Sequence, residues 1–457
     1  MSSNATRTIA EQLIERLGAA RARPLPAAVR QVVENLLLDV TGLCVAARGA
    51  DYTRSVIDAS DAGGACTAIG HRPRFAPEAA ALINGTAAHG EDFDDTFEGG
   101  PVHSGAVIVP AVLAAAERHG VSGPDAIRAI AVGCEVLCRM STVIPRAVHK
   151  AGFHPTAVFG ALAAAVAVGE ALRLDKRQAV SAIGTAGSMA SGIIEYLEDG
   201  TWTKRMHPGW AAQSGYRAAM LARAGFVGPR TVLEGRHGLF QGFARSTEGN
   251  WPALLDGLGE RWVIETIAFK PYACGTMMQP YIDCGRKLGA KGIRAEDIAD
   301  ILCETAEGFV HRLWEPLADK QAPRNGYAAK FSVPYGVAIG LVLGEAGLGA
   351  FEPAVLDDPR VRAVAAKVRY VVDPHHPYPK QYTGHLKATL ADGRVIEERQ
   401  PHLRGGAAEP LSAAEIEAKY RANCHHGGWS DAKADAARET IRALAAGRPA
   451  RLESLAD

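Results

Sequence analysis

Over roughly its first 240 residues the chain repeats one texture: alanine- and leucine-rich segments of helical length, cut by Gly, Pro and Asp, with PTAVFGALAAAVAVGEAL at 155–172 as the purest example. Small side chains let helix backbones approach closely, so this texture commits the chain to a compact packing of helices. Helices are expected near 77–90, 104–119, 124–141, 155–173, 176–190 and 208–224, and over 25–41, where Val29, Val32, Val33, Leu36, Leu37 and Val40 keep helical spacing behind Pro26. At the N-terminus Thr8 and Glu11 make a capping box, Ile9, Leu13, Ile14 and Leu17 one apolar face, and Gly18 a stop. The apolar run at 157–169 is shorter than the roughly 20 residues a bilayer span needs, and Glu11 and Glu15 interrupt any signal-like core, so a cytoplasmic protein without membrane association is expected.

After about residue 265 the pattern changes. ILCETAEGF and KVRYVVD read as strands by their β-branched content, and HLKATLADGRVIEER reads as a hairpin turning at Asp392-Gly393. FSVPYGVAIGLVLGEA and 359–366 read as helices between them, which gives an α+β domain over 266–403 after a helical domain over 1–265. Ser412 and Glu415 then form a capping box ahead of two closing helices, 413–422 and 431–446, within the segment 404–457. Whether these helices rejoin the first domain is left open by the order of elements alone.

Fifty Lys plus Arg balance fifty Asp plus Glu in the 457 residues, so there is no electrostatic footprint for nucleic acid or an anionic membrane. The eight cysteines show no CxxC pair, zinc-ligand spacing or iron–sulfur spacing, and Cys134 and Cys138, four apart, read as two small buried side chains on one helix face. There is no P-loop, G-x-S-x-G elbow, H-E-x-x-H or strand-linked G-x-G-x-x-G. The remaining chemistry is that of His, Lys, Asp and Tyr acting on an anionic substrate.

Three histidines stand ahead of apolar runs: His103 before SGAVIVPAVLAAAE, His154 before PTAVFG and His207 before PGWAAQ. Proline favours the first helical position, so His154 and His207 are expected at or beside N-caps, where free N–H groups and the macrodipole attract anions and disfavour the imidazolium form. Pro110 leaves open whether His103 lies at a cap or in the preceding loop. The densest polar segment, GEDFDDTFEGGPVHSG, crowds Asp92, Asp94, Asp95, Thr96 and His103. It reads as a site in which a carboxylate orients His103, as a calcium loop, or as a solvated acidic loop. The calcium reading is weakened because Phe97 stands where an EF-hand loop needs glycine and His103 where it needs its glutamate. Lys204 and Arg205 in TKRMHPGW offer a carboxylate clamp, Lys270 in AFKPYACG a second cation, and Tyr335 in FSVPYG a phenol in an apolar helix. Proton abstraction beside a carboxylate fits this inventory, because cations stabilise the developing enolate.

In these motifs (DFDDT followed by VHSG, GFHPTAVFG, KRMHPGWAAQSGYRAAMLARAGFVGP, TVLEGRHGLF, FKPYACG and FSVPYGVA) the chain resembles the MmgE/PrpD family nearly end to end. That family holds 2-methylcitrate dehydratase, cis-aconitate decarboxylase and iminodisuccinate epimerase. The resemblance implies a mainly α fold with an α+β part: a large all-helical domain formed by both chain ends, with an inserted α+β lid. It also implies a homodimer and a site without metal or organic cofactor. Carried over motif by motif, that site falls on Asp92, Thr96, His103, His154 and Tyr335 as catalytic residues, and on Lys204 and Lys270 as substrate-binding residues, with His207 a further candidate.

One departure stands out. Where relatives acting on aconitate-like acids carry histidine after the FK motif, this chain has Cys274, Gly275 and then Gln279. The resulting expectation is a cofactor-independent lyase on a small di- or tricarboxylate, a hydro-lyase dehydrating a 2-methylcitrate-like β-hydroxy acid, with Asp92 orienting a histidine base and Tyr335 or Thr96 assisting the leaving hydroxyl. The alternatives are an epimerase of an iminodisuccinate-like acid, a cis-aconitate-type decarboxylase, or a carboxylate-binding dimer without activity.

Overall fold

The computed structural model describes residues 7–448 and 452–457. The fold is mainly helical with a smaller mixed sheet, and it divides into two compact units. One comprises Met1–Gly90, Asp94–Ile267 and Ala413–Asp457, and the other Glu91–Phe93 and Ala268–Ser412.

In the first unit, α1 (Ile9–Ala20) opens on the expected capping box: Thr8 Oγ1 accepts from the Glu11 N–H and the Glu11 carboxylate from the Thr8 N–H. The helix runs two residues past Gly18. After α2 (Ala27–Ala46) and α3 (Asp51–Asp58) comes a departure from the all-helical reading, a hairpin of β1 (Ala62–Thr67) and β2 (Arg74–Phe75). Then follow α4 (Pro77–His89), α5 (Gly105–His119), α6 (Gly123–Ser141), α7 (Pro155–Ala171), α8 (Lys176–Met189) and α9 (Thr203–Arg223). α7 is apolar on every face and accordingly central, with only Glu170 reaching partial exposure, where it pairs with Arg21 and Arg128. Cys134 and Cys138 are buried in α6, as their spacing suggested.

α9 packs on α4 and α7. Its contact with α4 is backbone against backbone: a Cβ added at Gly85 would lie 2.5 Å from Gly209 Cα. This fixes the separation of the two helices within narrow limits, one turn from His89 and two residues from His207.

The second unit has a four-stranded sheet in the order β4–β3–β5–β6, made of β3 (Ile298–Thr305), β4 (Val368–Val372), β5 (Gly384–Leu390) and β6 (Val395–Gln400). β3 runs parallel to β4 and antiparallel to β5, with Ile301 opposite Val368 and Ala388. The β5–β6 hairpin turns where expected, with Gly393 at φ +86°. α10 (Gln279–Ala290) packs on β5, β6 and α11 (Val333–Leu343). The chain then returns to the first unit: α12 (Ala413–His426) packs on α2, with the buried Lys419 ammonium 2.7 Å from Asp39, and α13 (Asp431–Ala445) packs on α6. No helix among the described residues is long and apolar enough to cross a membrane.

Candidate active site

Four imidazoles meet inside the first unit. His89 ends α4, His103 lies in the loop ahead of α5, His154 is the N-cap residue of α7 and His207 sits in α9. Ring centroids are 4.8 Å apart for His89 and His103, 5.9 Å for His89 and His154, and 5.3 Å for His154 and His207. All four residues are buried. The edge of Tyr196 closes on His154 and His207, at 6.4 and 5.8 Å.

Local backbone structure holds each ring in place. The His103 N–H donates to Thr156 Oγ1 at the start of α7, and the His154 N–H donates to the Gly192 carbonyl. Gly192, at φ +113°, takes a conformation that side chains disfavour, and a Cβ there would overlap Ala157 at 2.6 Å beside the His207 ring. α9 begins at Thr203, so His207 is helical and Pro208 lies inside the helix; the expectation that His207 caps the helix is corrected. α5 likewise begins at Gly105 and takes Pro110 into its interior, which leaves His103 two residues outside it.

The acidic loop separates into two functions. Asp94 Oδ2 lies 2.8 Å from His89 Nδ1 and 3.7 Å from His103 Nδ1, with the His89 and Asp94 side chains fully shielded from solvent. Asp95 accepts from the Ser104 N–H and hydroxyl and from the Gly105 N–H, which satisfies the open end of α5, while its carbonyl lies 2.7 Å from His103 Nδ1. Burial, and then the Asp94 charge, push the Asp95 carboxyl up to about 7 against the Gly105 N–H and the Ser104 hydroxyl. Asp92 is left-handed at φ +56°, and its Oδ1 and carbonyl accept from Lys270 Nζ at 2.8 and 2.9 Å within the second unit. The histidine-holding carboxylate of the first unit is therefore Asp94, where the sequence reading gave that role to Asp92.

Two of the imidazoles, His154 and His207, are biased toward the neutral form. Burial depresses the His154 pKa well below its ordinary value, with His207, His89, Lys204 and His103 adding to the effect. Burial also brings His207 down to about 4, helped by His89 and Lys204. A neutral ring accepts a proton from a neighbouring acid and passes one on. Lys204 is buried in the first turn of α9 beside these rings, whereas the Arg205 guanidinium stacks 4.4 Å from the centroid of Tyr52.

Residues 11–251 match the MmgE/PrpD N-terminal domain and residues 272–445 the MmgE/PrpD C-terminal domain. The chain belongs to the MmgE/PrpD family. A cis-aconitate decarboxylase-like protein of Aspergillus oryzae is 29% identical over 423 residues, covering 87% of this chain and 86% of that protein. Cis-aconitate decarboxylase of Mus musculus is 27% identical over 404 residues, 85% and 81% of the two chains. A 2-methylcitrate dehydratase of Cupriavidus necator is 27% identical over 209 residues, 42% and 40% of the two.

In this MmgE/PrpD chain the structure brings His103, His154, His207 and Lys204 together in one unit and pairs Asp92 with Lys270 in the other. Thr96 is buried in the first unit, two residues beyond Asp94. Tyr335, in α11, donates its hydroxyl to the Ala350 carbonyl at 2.6 Å, and burial raises its pKa. After the FK motif, Cys274 is buried and the Gln279 amide donates to the Tyr272 and Cys274 carbonyls. Three groups were not read from sequence as site residues: His89, Asp94 as its partner, and the buried Lys330, whose ammonium lies 2.6 Å from Glu91. The available signal for the first two was a histidine five residues ahead of an aspartate across a glycine turn.

Proposed function

We propose that this MmgE/PrpD-family chain is a lyase acting by proton transfer on a small di- or tricarboxylate, and that it dehydrates a 2-methylcitrate-like β-hydroxy acid. The observation that carries this reading is the buried cluster of four imidazoles backed by Asp94. It combines bases, an anion to stabilise the imidazolium that forms, and a lysine for a substrate carboxylate.

In the proposed reaction His103 or His154 takes the proton from the carbon next to a carboxylate. The electron pair left on carbon forms the alkene as the β-hydroxyl departs, and that hydroxyl receives a proton by way of Thr96 and leaves as water. Lys204 holds a carboxylate and stabilises the enolate-like charge.

A second reading, decarboxylation of a cis-aconitate-like acid, is favoured by the relatives that carry that name across 85–87% of this chain. Against it stands Gln279, whose amide neither gives nor takes a proton near neutral pH. Incubating the protein in deuterated water with citrate, 2-methylcitrate, cis-aconitate and iminodisuccinate separates the outcomes. New alkene absorbance with loss of the hydroxy acid is the expected result. Carbon dioxide release moves the assignment to decarboxylation, deuterium uptake with inversion moves it to epimerisation, and no turnover of any acid overturns the lyase reading.

A further inference from the structure

Three of the clustered rings share a feature that suits a metal ligand as well as a base. Each has Nδ1 engaged: His89 by the Asp94 carboxylate at 2.8 Å, His103 by the Asp95 carbonyl at 2.7 Å, and His154 by His207 Nδ1 at 3.1 Å. At His89 and His103 the oxygen acceptor fixes Nδ1 as the donor, so the acceptor nitrogen of the ring is Nε2. The same arrangement orients metal-binding histidines. The His89 Nε2 is buried and has no hydrogen-bond partner. One ring nitrogen from each of His89, His103 and His154 lies within 4.8 Å of the other two.

We propose that His89, His103 and His154 form a binding site for one transition-metal dication of the zinc class. Three neutral nitrogen donors without a thiolate suit zinc, cobalt, nickel or copper, and do not suit magnesium or calcium, which take oxygen. Ligands at 2.0–2.1 Å around a tetrahedral ion are about 3.3 Å apart, so each ring closes by roughly 1 Å or less. Asp94 supplies a buried counter-charge next to His89, and Lys204 opposes it by adding positive charge near His154 and His207. Three protein donors leave a tetrahedral ion one further position, which water or a substrate carboxylate would fill. A bound ion occupies the lone pairs that the lyase reading assigns to proton transfer, so zinc is expected to inhibit; this consequence rests on that reading, whereas metal binding does not.

The test uses the full chain, stripped with chelator and titrated with cobalt and with zinc in the absence of substrate. The expected results are the visible absorption of low-coordinate cobalt and one zinc per chain by equilibrium dialysis. His89→Gln and His154→Gln are each expected to weaken binding at least about a hundredfold, and Asp94→Asn, which keeps all three ligands, about 10- to 100-fold. His425→Gln, at an exposed histidine, is expected to leave affinity unchanged. Should His89→Gln fail to fold by circular dichroism, the Asp94→Asn and His154→Gln titrations decide. Absence of the cobalt band, or unaltered affinity in the folded cluster variants, overturns the site. Turnover by chelator-stripped protein with no metal binding sinks this proposal alone, and stoichiometric metal binding with no turnover of any acid sinks only the lyase reading.

Discussion

Asp94→Asn removes one charge from the most enclosed part of the cluster while keeping the side chain's shape. In the native chain the carboxylate lies 2.8 Å from His89 Nδ1 and 3.7 Å from His103 Nδ1, in a setting that excludes solvent from His89 and Asp94 altogether. At a charge separation of about 4 Å and an effective dielectric constant of about 20, a carboxylate stabilises an imidazolium by about 4 kcal/mol. Delocalisation of the ring charge and the nearby Asp95 reduce what the substitution reaches, so the expected loss is about 2–4 kcal/mol, or roughly 30- to 1,000-fold in turnover. The pH profile provides the sharper measurement. Without the anion the imidazolium pKa falls, so the base stays unprotonated to lower pH and the acid limb of kcat/KM moves down by roughly 1.5–3 units, even as the plateau drops. Rates measured from pH 5 to 9 on the acid that the wild-type chain turns over, with circular dichroism to verify the fold, check both effects. A variant within threefold of wild type and with an unmoved acid limb refutes the view that Asp94 sets the basicity of the cluster.

Gly85→Ala places a Cβ 2.5 Å from Gly209 Cα, with only backbone to yield, so it is expected to destabilise by about 1–3 kcal/mol or more and to lower turnover by displacing His89 from His207; an unchanged melting midpoint contradicts the close-contact argument. Arg139→Met leaves Glu135 buried without the guanidinium that lies 2.5 Å away and that also bonds the Ala253, Asp256 and Arg261 carbonyls, for an expected loss of about 3–5 kcal/mol in urea unfolding. The double variant Glu135→Leu/Arg139→Met is expected to lose less than the single one. For His207, burial lowers the folded pKa from 6.5 to about 4, so the unfolded chain takes the proton first as pH falls. The corresponding stability is fully present above pH 6.5 and lost on the way down to about pH 4, by about 3 kcal/mol, and His207→Gln flattens that part of the urea-midpoint profile.

The fold was legible where burial and local preference agree. The capping box at Thr8 and Glu11, the central helix α7 and the Asp392-Gly393 hairpin follow from patterns confined to a few residues. The β1–β2 hairpin does not, because Ala62–Thr67 has no strand propensity before its final threonine. It pairs through glycine: a Cβ at Gly64 would lie 1.9 Å from the Phe75 carbonyl carbon, so the strand exists by close approach. The start of α9 was misjudged for a related reason. Proline favours the first turn, but it also survives further in when packing repays a lost hydrogen bond, and the contact of Gly209 with α4 supplies that packing.

The site shows why a motif names a segment more reliably than it names an atom. Asp92, Asp94 and Asp95 lie within four residues of one another, and each could orient a histidine on spacing alone. The left-handed backbone at Asp92 and the division of the chain at this loop separate them: residues 91–93 belong with the unit that holds Lys270, and Asp94 onward belong with the histidines. One or two positions therefore change a carboxylate from a lysine partner to a histidine partner, and then to the group that satisfies the start of α5. His89 was hidden in another way. It closes an alanine-rich helix, where a histidine reads as a favourable last-turn cation, and its role follows only from contact between Gly85 and Gly209, 124 residues apart in sequence, which brings α4 and α9 close enough for His89 to act on His207. Small residues thus set the distances between the chemical groups, and a test at Gly85 examines the site as directly as a test at any histidine.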